Sequence, residues 1–246
     1  MSLQAKILNF VLKKYIKDVQ PPVEERSYEE ARKMMNQDGY ADTNVSLGSK
    51  LLQKFVFSKS KSYVTSNEIY LDKIRALHFT RNEFNEKKCI LYFHGGGYVA
   101  GSPETHQNML LSLAQVSSIQ IFAIDYSLSP ESNFPQAIND AVSSYNALLK
   151  RGFKSENIFL GGDSAGGNLT LVSTLKLQEL NQKLPSKLFL LSPWTDLTGE
   201  GRSIKDNSKS DPYLSYDNWL NTSLSMQKTV KEWYAPNQNY QNPLIS

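Results

Sequence analysis

Residues 157–168 read N-I-F-L-G-G-D-S-A-G-G-N, and this stretch decides how the chain is read. Ile158, Phe159 and Leu160 form an apolar run of strand length, bounded by Gly161-Gly162-Asp163. From Ala165 the spacing changes: Ala165, Leu169 and Val172 share one helical face, with Leu171 and Leu175 beside it. Ser164 therefore stands on a sharp turn between a strand and a helix, where its hydroxyl is pushed out beyond the end of a sheet. Gly162 and Gly166 complete G-x-S-x-G, keeping Cβ atoms away from crowded backbone. A five-residue pattern is a weak signal by itself, so its neighbours have to decide its meaning.

The neighbours are informative. Cys89–His94, C-I-L-Y-F-H, has the composition of a buried strand and runs into Gly95-Gly96-Gly97-Tyr98. Ser102-Pro103 predicts a helix start, an N-cap with proline at the first helical position, and Leu110, Leu113 and Ala114 give that helix a buried face. Residues 119–126 form the next strand. Ala137 to Leu149 forms a helix closed by Lys150-Arg151 and Gly152, which suit its C-terminal end. Lys187–Leu191 is a further strand, and 71–80 reads as edge strands that begin the sheet. Strands alternating with helices predict an α/β fold with a mostly parallel sheet covered on both faces. Sites in such sheets lie beyond the carboxyl ends of the strands, where both His94–Gly97 and Ser164 fall.

Composition limits the alternatives. A chain of 246 residues is long enough for one large α/β domain or a core with a small lid. The 27 Lys/Arg against 24 Asp/Glu leave a net charge of +3 with scattered lysines, which argues against nucleic-acid binding. Cys89, the one cysteine, forms no intrachain disulfide and reads as a small buried side chain. His78, His94 and His106 have no zinc-site spacing, and no metal or organic cofactor is implied. The apolar N-terminus is interrupted by Lys6, Lys13, Lys14 and Lys17, so it does not read as a signal peptide, and no run is long enough to cross a bilayer. A soluble, cytoplasmic protein is expected.

Residues 3–18 read as an amphipathic helix stopped by Pro21-Pro22, and a second helix is expected over about 23–37. The pair is read as a packed hairpin, a lid or a peripheral membrane anchor. Residues 199–210 read as a mobile polar loop, and 217–234 as a weaker helical pattern.

An ester hydrolase needs a nucleophile, a base, a group that orients the base, and donors for the tetrahedral oxyanion. Ser164 can supply the first. The glycines at 95–97 let backbone N–H groups approach a ligand, and Ala165 N–H adds a donor at a helix N-terminus. The bland readings are a small turn serine and a tight glycine turn.

With these residues the chain resembles the hormone-sensitive-lipase-like branch of the α/β-hydrolases. The resemblance rests on H-G-G-G-Y (94–98), G-D-S-A-G-G (162–167), D-Y-S-L-S-P-E-x-x-F-P-x-A (125–137), S-P-W-T-D-L (192–197) and the closing N-P-L-I-S. It extends from about residue 70 onward. It implies an α/β-hydrolase core over 61–246 and an N-terminal helical cap over 1–60. It also implies Ser164 as nucleophile, Gly96, Gly97 and Ala165 as oxyanion donors, and His94 as a structural residue. The substrate implied is a small-molecule ester of short or medium acyl chain. Ser127 and Ser129 depart from the family's arginine and alanine, a change expected to loosen a supporting ion pair.

The family's triad acid and histidine follow the segment similar to N-P-L-I-S, and no histidine follows His106 here. His78 reads as an exposed strand residue, His106 as a residue near the pocket, and Asp196 and Asp211 as loop and cap residues. The expectation is a hydrolase lacking its C-terminal part and nearly inactive in this form. Its strand at 187–191 would be left as an uncovered edge that a second copy of the chain could cover. A non-catalytic binding protein on the same fold and a degenerate gene fragment stand as the other readings.

Overall fold

The computed structural model describes residues 28–36, 63–207, 210 and 230–246. Six strands, β1 (Thr65–Leu71), β2 (Ile74–Thr80), β3 (Cys89–Phe93), β4 (Gln120–Ile124), β5 (Ile158–Asp163) and β6 (Lys187–Leu191), form one sheet in the order β1-β2-β4-β3-β5-β6. The first two pairings, β1 with β2 and β2 with β4, are antiparallel, and the remaining three are parallel. The helices α1 (Tyr28–Asn36), α2 (Gln107–Ser117), α3 (Gln136–Lys150), α4 (Ala165–Glu179) and the one-turn α5 (Arg202–Asp206) accompany them.

The apolar runs of β3 and β4 become buried strands because helices cover both faces of the sheet there. All five residues of β3 are buried, and so are all five of β4. Side chains alternate between two cores. Cys89, Leu91 and Phe93 meet α3 and α4 through Ala141, Leu148, Leu169 and Val172. On the other face Ile90 and Tyr92 pack with Leu110 and Ala114 of α2. Burial pushes the Cys89 thiol up to about 12, so it stays a neutral apolar filler.

The chain leaves β3 toward β4 on one side and leaves β5 toward β6 on the other. The carboxyl ends of the adjacent β3 and β5 are thus the point where connections diverge, and there a crevice opens in sheets of this kind. Phe93 pairs with Gly162 at that point, which puts His94–Gly97 and Ser164 side by side.

Four expectations need correction. The sheet begins earlier than residue 71, with β1, whose sequence T-S-N-E-I-Y-L is too polar to read as a strand because one face meets water. His78 is consequently not an exposed edge residue. Flanked by β1 and β4, it is half-buried, stacked on Phe122 at 4.3 Å and bonded to Gln120 at 2.9 Å. The helix expected from Ser102 starts at Gln107 instead, since Ser102 and Thr105 close a turn of their own through reciprocal side-chain bonds. The loop at 199–210 contains α5, held by Asp196, whose carboxylate accepts the N–H groups of Thr198, Gly199 and Gly201.

Of the helical cap expected over 1–60, α1 falls among the described residues, and the helix expected at 3–18 lies outside them. Within the expected helix at 217–234, residues 230–234 are helical and the rest, with Asp211, lies outside the described residues. No helix among the described residues is long and apolar enough to cross a membrane.

Candidate active site

Ser164 sits between β5 and α4 with φ 51° and ψ −119°, a conformation that L-residues hold only under constraint. The constraint is visible. Its N–H donates to Leu191 O at 3.0 Å, and its carbonyl accepts Trp194 N at 2.9 Å and Asn168 N at 3.1 Å. The end of β6 and the S-P-W segment thus grip the turn. A Cβ on Gly162 would meet Phe93 O at 2.6 Å, and one on Gly166 would meet His94 O at 2.6 Å. Both glycines are required because β3 passes directly beneath.

The glycine loop rests against this turn through Asp163. One carboxylate oxygen accepts Gly95 N–H at 3.0 Å and the Tyr92 hydroxyl at 2.8 Å, and the other faces His106 Nε2 at 3.3 Å. Gly96, Gly97 and Tyr98 follow with φ of 124°, 63° and 65°, and the Gly96 carbonyl accepts the N–H groups of Val99 and Ala100. Among the described residues the N–H groups of Gly96 and Gly97 donate to no protein acceptor. Ala165 N–H opens α4, where the first turn has no intrahelical acceptors. Three donors at one strand-end crevice could hold an oxygen that gains negative charge. Buried Asn168 joins the parts, accepting from the Tyr98 hydroxyl and donating to Ile245 O at 3.2 Å.

The histidines are engaged elsewhere. Buried His94 stacks on Tyr126 at 4.2 Å and donates from Nδ1 to Gly95 O at 2.8 Å; burial pulls its pKa down to about 4, so it is neutral near pH 7. His106 presents Nδ1 to Ser102 O at 3.2 Å and Nε2 to Asp163. A carbonyl and a carboxylate both require donors, so the charged imidazolium suits this position. Burial opposes that charge, but the hydrogen bond and the charge of Asp163 outweigh it and raise His106. Burial likewise opposes ionisation of Asp163, and His106, Tyr92 and Gly95 N–H together lower it. Among the described residues, no side chain hydrogen-bonds the Ser164 hydroxyl, and no group of His, Cys, Asp and Glu has the arrangement of a metal site.

Asp163 carries the network, yet the motif offered it only as the residue before Ser164. A carboxylate at the end of an apolar strand, directly after two glycines, is the available signal that it needs partners. Tyr92 and His106 lie 71 and 57 residues away in sequence; the register of β3 against β5 brings in Tyr92, and the turn before α2 brings in His106. Arg75 marks a second, outer cluster: it pairs with Asp125 at 3.1 Å, Glu68 at 2.9 Å and Glu104. Asp125 is therefore paired although Ser127 stands in the usual place of arginine.

With this geometry in place, comparison with known proteins is direct. Residues 90–246 match the family described as the alpha/beta hydrolase fold. An esterase of Acinetobacter venetianus is 34% identical over 159 residues, which is 65% of this chain and 50% of that one. Hormone-sensitive lipase of Mus musculus is 35% identical over 132 residues, 52% of this chain and 17% of that one. Among solved structures, an esterase from the bacterial hormone-sensitive lipase family has a TM-score of 0.77 at 25% identity, covering 100% of this chain and 73% of its own. The chain belongs to the α/β-hydrolase family, in its hormone-sensitive-lipase-like branch. It spans about half the length of the Acinetobacter esterase.

Proposed function

We propose that the protein is a serine carboxylic-ester hydrolase acting on esters of short or medium acyl chains. Ser164 Oγ attacks the ester carbonyl, the tetrahedral oxyanion is held by the N–H groups of Gly96, Gly97 and Ala165, and the alcohol leaves to give an acyl-Ser164. Water then attacks the acyl group and releases the acid. One observation carries this reading: the constrained Ser164 turn lies against a glycine loop whose Gly96 and Gly97 N–H groups meet no acceptor among the described residues. The esterases among the relatives support the same reaction class.

The histidine that serves Ser164 is, in this reading, none of His78, His94 and His106. Residues 1–246 by themselves are then nearly inactive. Losing a triad histidine costs about 10⁶ in kcat and leaves on the order of 10³–10⁴ over water. Hydrolysis of p-nitrophenyl butyrate tests both statements. The 246-residue chain is expected to give only this residual turnover, which comes from the oxyanion donors and binding and which Ser164→Ala leaves nearly unchanged. A kcat of about 10 s⁻¹, ordinary for an enzyme, would mean that one of the three histidines does serve. The Ser164 hydroxyl, which no side chain among the described residues hydrogen-bonds, favours one alternative, a binding protein that holds an ester or carboxylate without turnover. Tight binding of butyrate with no labelling of Ser164 by diethyl p-nitrophenyl phosphate would select it.

A further inference from the structure

The glycine loop is a poor candidate for holding itself. Gly96, Gly97 and Tyr98 occupy positive φ in succession, and such backbone persists only where its surroundings over-determine it. From inside, Gly96 O takes the N–H groups of Val99 and Ala100, and Ser129 N–H donates to Tyr98 O at 2.8 Å. From outside, the loop is met by α1.

Arg32 donates from Nε to Val99 O at 2.6 Å and from Nη2 to Ser129 O at 2.7 Å. Its fork also takes Glu131, Nη1 to Oε1 at 2.7 Å and Nη2 to Oε2 at 2.6 Å. Asn36, four residues on and so on the same helix face, accepts Gly101 N–H at 2.7 Å through its side-chain oxygen. The two side chains hold the loop at Val99 and Gly101, either side of Ala100. Tyr28 sits against the Arg32 guanidinium and meets Trp233 edge-on, 6.3 Å between ring centres. The planar fork suits this task because one cation satisfies two carbonyls and a carboxylate at fixed angles, which an ammonium cannot do.

We propose that Arg32, with Asn36, is a positioning residue that locks the Gly96–Gly101 turn, so that α1 sets the aim of the Gly96 and Gly97 N–H groups. Arg32 ties this turn to the 129–131 loop, making one rigid wall from two loops that are separate in sequence. The inference rests on reading Gly96 and Gly97 as oxyanion donors, but the clamp itself can be measured without catalysis.

Amide hydrogen exchange of the 246-residue chain is the test. In Arg32→Met, exchange of a peptide covering 95–101 is expected to rise at least about tenfold, while peptides of β3 and β5 keep their protection. Arg32→Lys, which keeps the charge and loses the fork, restores only part. Glu131→Gln, a milder change that leaves both carbonyl bonds intact, gives a smaller rise at the same peptide. Residual p-nitrophenyl butyrate turnover in Arg32→Met falls mainly in kcat, about tenfold, with KM nearly unchanged. Unchanged exchange at 95–101 would overturn the proposal, and so would an equal rise across all peptides. Should the exchange pattern hold while diethyl p-nitrophenyl phosphate leaves no adduct on Ser164, the clamp stands and the catalytic reading fails.

Discussion

Gly162 and Gly166 both face the carbonyl of Phe93, Gly166 that of His94 as well, and neither has room for a methyl group. Gly166→Ala is therefore expected to cost at least the ~1–3 kcal/mol of an overpacked site, read as a lower denaturant midpoint with little change in slope. Asp163 and His106 give a pH signature. His106 is raised, so its contribution is complete below the ordinary histidine value of about 6.5 and is lost as pH rises through its folded value. Asp163 is lowered, so its contribution is present above the ordinary carboxylate value of about 4 and is lost as pH falls through its folded value. The stability difference between the parent and His106→Gln should peak between these limits, about pH 4 to 6.5, and shrink on the alkaline side. A flat difference across pH 5–9 in thermal unfolding would contradict the charged pair.

At the scale of elements, β3 is the strand on which both cores depend, because its alternate side chains face α2 on one side and α3 with α4 on the other. Leu91→Ala should cost about 2–5 kcal/mol, measurable by urea unfolding. Much of this architecture is legible in the sequence, since runs such as C-I-L-Y-F and Q-I-F-A-I are buried on both faces and need no partner to be recognised. β1 is not, because a half-solvated strand carries no apolar run, and its pairing with β2 is what gives it away. The start of α2 is displaced for a different reason: Ser102 does cap backbone, but it caps its own turn with Thr105. In the site, Ser164 and the glycines are legible because their spacing reflects local backbone demands. The Asp163–Tyr92–His106 network and the Arg32 clamp are not, since those contacts depend on strand register or on chain separations approaching 100 residues.

For the whole molecule, the switch point between β3 and β5 explains why two short glycine motifs, some 70 residues apart, form one crevice. The same sheet ends at β6 among the described residues, where Leu188 and Leu191 are 37% and 42% exposed. A strand edge flanked by exposed leucines favours association. Sedimentation of the 246-residue chain is accordingly expected to be concentration-dependent, and Leu188→Lys should reduce that dependence. A single monomer species at all concentrations would argue against a second copy on this edge.

The central claim is that Ser164, beside the glycine loop, is the nucleophile, and covalent labelling tests it most directly. The chain is incubated with diethyl p-nitrophenyl phosphate, which leaves a stable diethylphosphoryl group on an attacking serine, and the product is mapped by peptide mass spectrometry. One slowly formed adduct is expected, on Ser164, absent from Ser164→Ala and formed more slowly still in Arg32→Met. An adduct on another residue, or labelling that persists unchanged in Ser164→Ala, would contradict it.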